Sequence, residues 1–283
     1  MRLLLCAWGL ALSNNIGSAS AMSTAVAPGH QQSGELSNKY RLLRGFYPVE
    51  NQESVHFIAC APASKGSYDA VLMLHGYRRS DRHWGYHQIA LAIEDWVSVA
   101  IDYDETAPEQ DQLLQIRTAI ERMRAHPEVQ SVSICGTSWG GKMALETIAK
   151  MPELDIATAF IVYPTLPFVT DQQVANIRTD ILNCVGAVDP LSPISYMIEE
   201  KVRECNDQIA YKLHVYSRDD FPQDADHGFL FARTPEEFND VARDSFVRWL
   251  SLVEWKLGKT GPPPWISDPK ILREEHLLKL TDR

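Results

Sequence analysis

Ser131-Val-Ser-Ile-Cys-Gly-Thr-Ser-Trp-Gly-Gly-Lys-Met-Ala-Leu145 joins two periodicities. Val132 and Ile134 alternate with Ser131, Ser133 and Cys135, the period of a short strand, whereas residues 142–150 hold no helix breaker before Pro152. Gly136-Thr-Ser-Trp-Gly140 therefore lies at a strand-to-helix junction. A serine on so tight a turn stands clear of the sheet in a strained conformation that needs small neighbours, and Gly136 and Gly140 supply them. Gly141 lets the new helix approach the strand, and the unpaired amides of its first turn favour negative charge. The stretch reads as a nucleophile elbow, with Ser138 as nucleophile and the backbone N–H of Trp139 as an oxyanion donor. Glycine-flanked serines also occur in ordinary loops, so the surrounding chain has to decide.

Outward from the junction, strands and helices alternate. Residues 54–61 read as an early strand closed by Pro62 and Gly66. Residues 69–75 form a near-continuous apolar run, suited to a strand buried on both faces, and residues 96–101 form another. A helix around residues 86–93 separates them. Leu113, Ile116, Ile120 and Met123 then recur at helical spacing until Pro127. Beyond the elbow, strands are expected at 156–163, 180–185 and 210–216, with a helix at about 194–202. Thr234 as N-cap, Pro235 at the first helical position and Glu237 in a capping box announce a last helix. It buries Phe238, Val241, Phe246, Trp249 and Val253, runs to about Leu257 and stops at Gly258. This order implies an α/β fold: a mostly parallel central sheet with helices on both faces.

The chain has 283 residues, 45% hydrophobic and 23% charged, an ordinary globular composition. Its formal net charge of -10 opposes nucleic acid or an anionic membrane surface as partner. One positive charge and an apolar run too short to span a bilayer precede Ala19-Ser-Ala21, so residues 1–21 read as a secretory signal peptide and the mature chain carries no membrane span. The alternative is a cytoplasmic protein starting at Met22. Residues 22–53 form a lead-in and first strand, 54–257 the α/β domain, and 258–283 a proline-rich linker with a short helix. Cys6 falls in the leader. Cys60, Cys135, Cys184 and Cys205 have neither zinc nor redox spacing, and Cys135 and Cys184 fit buried thiols in central strands.

A serine hydroxyl needs a base within hydrogen-bond reach and a group that orients the base. His227, in Asp226-His-Gly-Phe229, follows the strand at 210–216, where open α/β sheets place their sites; the alternative is a surface loop histidine. Asp189, in Gly186-Ala-Val-Asp-Pro190, follows the strand ending at Val185 and is either the orienting acid or a turn starter. The order Ser138, Asp189, His227 is the order that accompanies an elbow nucleophile. Asp219, Asp220, Asp224 and Asp226 are closer in sequence, but neighbours of a loop histidine rarely face its ring. A second oxyanion donor is expected from the loop Leu74-His-Gly-Tyr77, with Gly76 allowing close approach and Tyr77 presenting its N–H. His75 reads as a structural histidine. Arg78, Arg79 and Arg82 either bind an anionic substrate group or face solvent. Trp139, Tyr163, Phe168 and Phe221 either line an aromatic pocket, with Phe168 touching substrate, or pack in the core.

Ser138 in Gly-Thr-Ser-Trp-Gly-Gly, Asp189 in Gly-Ala-Val-Asp-Pro and His227 in His-Gly-Phe together resemble the α/β-hydrolase superfamily, most closely its dienelactone hydrolase-like branch. The resemblance covers roughly residues 54–257. It implies the α/β-hydrolase fold without a large cap domain, a Ser-His-Asp triad, an acyl-enzyme intermediate, a small-molecule ester or lactone substrate, and neither cofactor nor metal. Dienelactone hydrolases proper carry a cysteine nucleophile and a glutamate beside it; here stand Ser138 and Gly76-Tyr-Arg-Arg79, which points to a serine esterase. The motifs also resemble the catalytic domain of prolyl oligopeptidase-type peptidases, whose propeller has no counterpart in this length. A peptidase or other acyl-transfer enzyme, and a non-catalytic binding protein on a hydrolase fold, are the competing readings.

Overall fold

The computed structural model describes residues 32–36, 39–77, 84–217, 225–230 and 239–263. Nine strands, β1 (Gln32–Leu36), β2 (Tyr40–Tyr47), β3 (Val55–Pro62), β4 (Tyr68–Leu74), β5 (Trp96–Asp102), β6 (Val129–Thr137), β7 (Thr158–Val162), β8 (Asp180–Gly186) and β9 (Tyr211–Tyr216), form one sheet. Their order is β1-β2-β3-β5-β4-β6-β7-β8-β9. The pairings from β5 to β9 are parallel, and those joining β1, β2, β3 and β5 are antiparallel. The helices are α1 (Gly85–Ile93), α2 (Glu109–Ala125), α3 (Trp139–Lys150), α4 (Asp171–Ala175), α5 (Ser192–Cys205) and α6 (Asp240–Lys256).

β4 lies near the centre of the sheet and is buried along its whole length. Its alternate side chains feed two cores. Ala70, Leu72 and Leu74 join Ile116, Ile120, Met143, Ile148 and Ile198, so α2, α3 and α5 cover one face. Val71 and Met73 join Leu91, Trp249 and Val253, so α1 and α6 cover the other. Each of the Leu, Ile, Val and Met side chains contributes about 1.5–3 kcal/mol on burial, which explains why apolar runs rather than alternating ones mark these strands.

Where the elements differ from expectation, local geometry gives the reason. α3 starts at Trp139, three residues earlier than its apolar pattern, because Ser138 O accepts the Lys142 N–H and closes the first turn at the elbow. The region between β7 and β8 holds only the short α4, whose Thr170–Gln173 capping box passed unnoticed in the sequence. α6 begins at Asp240, with Asn239 accepting from Ala242 N; the expected cap residues Thr234, Pro235 and Glu237 lie outside the described residues. So do the leader at 1–21 and residues 264–283. Gly258 has φ of 70°, in the left-handed region that ends a helix. Among the described residues no helix is long and apolar enough to cross a membrane.

His87 ties α1 to α6 on the same face of the sheet. Its ring stacks on Phe246 at 4.9 Å and meets Trp84 edge-on at 5.3 Å. Burial lowers its pKa to about 3, against the opposing hydrogen bond at the Leu230 backbone. The unfolded chain therefore takes up a proton near pH 6.5 that the folded chain refuses. Stability from this group is complete above about pH 6.5 and declines as pH falls towards about 3, by up to about 1.4 kcal/mol per pH unit. His87→Phe keeps the stacking and cannot titrate, so urea midpoints should fall less steeply between pH 7 and pH 4 in the variant than in the wild type; equal slopes would contradict this role.

Candidate active site

β6 ends at Thr137 and α3 starts at Trp139, which leaves Ser138 alone in the turn with φ of 51°. A non-glycine residue held there costs about 1–3 kcal/mol. Three backbone bonds hold it: Ser138 N–H donates to Val162 O at 2.9 Å, and Ser138 O accepts from Lys142 N and Thr165 N, each at 3.1 Å. At about 1 kcal/mol apiece they offset the strain. The turn also needs bare backbone. A Cβ at Gly136 would lie 2.1 Å from Gly140 O, and one at Gly140 would lie 2.3 Å from Leu74 O.

The C-terminal ends of the parallel strands bring the other residues to Ser138. His227 Nε2 is 3.0 Å from Ser138 Oγ, and His227 Nδ1 is 3.0 Å from Asp189 Oδ2. A carboxylate can only accept, so Nδ1 carries the proton and Nε2 is free to accept from the serine hydroxyl. Asp189 is 2% exposed, and its Oδ1 accepts from Leu191 N at 2.7 Å, which fixes the carboxylate plane. The alternative carboxylate, Asp226, is exposed; Asp219, Asp220 and Asp224 lie outside the described residues.

Two supports of His227 were not legible beforehand. The segment carrying it rests on the end of β8, where a Cβ at Gly186 would lie 1.5 Å from Ala225 O. Tyr163, with φ of 37°, sets its buried ring 4.8 Å from the imidazole at a tilt of 58° and meets Phe229 edge-on at 5.1 Å. Tyr163 thus packs behind the base rather than lining an open pocket. In sequence Gly186 only ends an apolar run, and nothing local announces a contact with Ala225.

Gly76 follows β4 at the elbow's side: a Cβ there would lie 3.3 Å from Ser138 Cβ. Tyr77 comes next, with its ring 6.2 Å from that of Trp139. Trp139 opens α3, so its N–H has no acceptor in a preceding helical turn, and its indole N–H donates to Gln112 Oε1 at 3.0 Å. His75 is fully buried, stacks on Tyr103 at 4.5 Å and has Nδ1 2.9 Å from Gly76 O, so its contacts are those of a structural residue. Phe168 is 63% exposed. Arg78, Arg79, Arg82 and Phe221 lie outside the described residues. Cys60, Cys135, Cys184 and Cys205 are free thiols, the first three buried. Among the described residues no three His, Cys, Asp or Glu side chains gather as a metal-binding group.

The family model described as the dienelactone hydrolase family matches residues 99–255, more than half of the chain. No curated protein matches the chain in sequence. Among solved structures it is similar to a Klebsiella pneumoniae protein assigned as a dienelactone hydrolase, with a TM-score of 0.61 and 16% identity over 75% of this chain and 98% of that one. It is also similar to a dienelactone hydrolase-like promiscuous phosphotriesterase from metagenomic libraries, with a TM-score of 0.63 and 15% identity over 76% and 98%. Esterase 2 of Thermogutta terrifontis phosphonylated by sarin gives 0.62 and 14% over 78% and 96%. At such identities the likeness is one of fold, and the fold is that of the α/β-hydrolases.

The contact at Gly186 gives a test of how the site is assembled. Gly186→Ala must push residues 225–228 off β8 and lengthen the His227–Asp189 bond. The low-field proton resonance expected of that bond in NMR spectra should vanish in the variant while the fold persists; a resonance unchanged in position and intensity would show that the glycine does not set the site.

Proposed function

From the premise that the chain belongs to the dienelactone hydrolase family and is an ester hydrolase, we propose that it cleaves a carboxylic ester or lactone through an acyl-enzyme on Ser138. The observation that carries this reading is the pair of 3.0 Å contacts linking Ser138 Oγ, His227 and Asp189 in one line. Ser138 Oγ attacks the acyl carbon and its proton passes to His227 Nε2. The imidazolium that forms faces the buried Asp189 carboxylate, which stabilises it and keeps the productive tautomer. The amides of Trp139 and Tyr77 receive the oxyanion, a contribution worth about a hundredfold or more per donor. His227 then returns the proton to the leaving alcohol, and water repeats the sequence on the acyl-enzyme.

The role of Phe168 as a substrate contact belongs to the same proposal, supported by its exposed ring and by Thr165, three residues earlier, donating to Ser138 O. The fold relatives add a reagent class: one is named a phosphotriesterase and another is phosphonylated by sarin. An organophosphate directed at Ser138 follows the same line of attack as an ester.

Hydrolysis of 4-nitrophenyl esters separates this reading from a binding protein on the same fold. Ser138→Ala should lower kcat by roughly a millionfold, and Asp189→Asn, which leaves the geometry but reverses the tautomer, by about ten-thousandfold. Turnover within tenfold of wild type in Ser138→Ala, with the fold intact, would rule the serine mechanism out.

A further inference from the structure

Lys142 lies one helical turn beyond Ser138 on α3, and its side chain is only 2% exposed. Its ammonium is 3.3 Å from Glu146 Oε1 and 3.7 Å from Glu109 Oε2, and Lys150 meets the same two carboxylates. Two cations face two anions, so this group offers no net charge to a substrate anion. On its other side the ammonium lies 4.4 Å from the centre of the Trp139 ring and 5.1 Å from that of Phe168. A cation on the face of each ring holds both in place.

Glu146 has a second task. Its Oε1 accepts the Phe168 N–H at 2.6 Å. Burial raises the Glu146 carboxyl above its ordinary range, against the Phe168 N–H and the two ammonium groups that favour its charge. The same loop is held at Thr165 by Ser138 O and at Val169, whose carbonyl accepts from Lys201 Nζ at 2.8 Å. Its backbone is therefore fixed at three residues, yet Phe168 leaves 63% of its surface in water and Tyr77, beside Trp139, leaves 50%.

Stability alone gives little reason for this arrangement. A buried ion pair is often no better than apolar residues of the same volume, and an aromatic ring held in solvent gains nothing from being ordered. An ordered, exposed ring beside a nucleophile does gain when an apolar group covers it, because the entropy of arranging the wall is spent before the ligand arrives. We propose that Lys142 and Glu146 are positioning residues that hold Trp139 and Phe168 as a preformed aromatic wall, and that this wall takes the larger apolar group of an uncharged ester. The proposal rests on the ester hydrolase reading above and adds a substrate class and the residues that select it.

The test compares 4-nitrophenyl acetate with 4-nitrophenyl octanoate in wild type, Phe168→Ala, Phe168→Tyr and Lys142→Met. Phe168→Ala and Lys142→Met should raise KM for the octanoate about three- to tenfold, the worth of an aromatic contact, and leave KM for the acetate within about twofold. Phe168→Tyr keeps the ring and should raise the octanoate KM less than Phe168→Ala does. Lys142→Met leaves Glu146 buried with fewer partners, so the neutral pair Lys142→Met/Glu146→Gln serves if the single variant does not fold; Phe168 is at the surface and its variants carry no such risk. The same substitutions in a Ser138→Ala background should weaken the Kd of uncleaved octanoate by the same factor, a readout independent of turnover. Equal changes for both esters, or an unchanged Kd in Phe168→Ala, would overturn the wall. A wild type that cleaves neither ester would instead overturn the hydrolase reading, and the Kd comparison would then decide the wall by itself.

Discussion

Backbone meets backbone where β6 turns into α3, and that contact leaves no room for a side chain at Gly136 or Gly140. A methyl group at either position would sit inside the van der Waals radius of a carbonyl oxygen, so the helix can enter directly against β6 and β4 only with glycine there. The missing side chains let α3 start directly at the elbow, and the Lys142 N–H bond to Ser138 O closes its first turn there. Ser138 has one residue in which to reverse the chain, and the left-handed φ follows. Everything else in the site is arranged around a hydroxyl whose position is already decided.

The remaining groups reach it by two kinds of constraint. Asp189 is placed locally: it follows β8 directly, is buried, and has one oxygen occupied by the Leu191 amide, so the other faces His227. His227 is placed by long-range packing, with its segment lying on Gly186 and its ring against Tyr163. A partly exposed imidazole would otherwise sample many orientations, and the general base function depends on restricting them. Beneath the same surface, the charges of Lys142, Lys150, Glu109 and Glu146 balance one another while pinning the aromatic residues above them.

Much of this was legible in the sequence because its signals are local. Apolar runs at 69–75 and 180–185 became β4 and β8, and the elbow glycines announced the turn that exists. The chemistry-bearing residues were legible for a different reason: parallel strands put their C-terminal ends along one edge, so residues just past them share a neighbourhood wherever the helices go. The helix at 171–175 was missed although Thr170 and Gln173 form a capping box, because five residues carry no periodicity. Gly186, Lys142 and Glu146 were illegible as parts of the site for a deeper reason. Their partners, Ala225, Phe168 and Glu109, lie far away along the chain, and only the folded sheet brings them together; Tyr163 was legible as an aromatic near the site but not as the support of His227.

The central claim is that Ser138 is an activated nucleophile, and covalent capture tests it most directly. Treating the folded protein with a fluorophosphonate, digesting it and sequencing the modified peptide by mass spectrometry locates the reactive atom without assuming a substrate. A single adduct on Ser138, lost in a Ser138→Ala variant that keeps the fold, is the predicted result. An unmodified protein, or an adduct carried by another residue while Ser138 stays free, would contradict the claim.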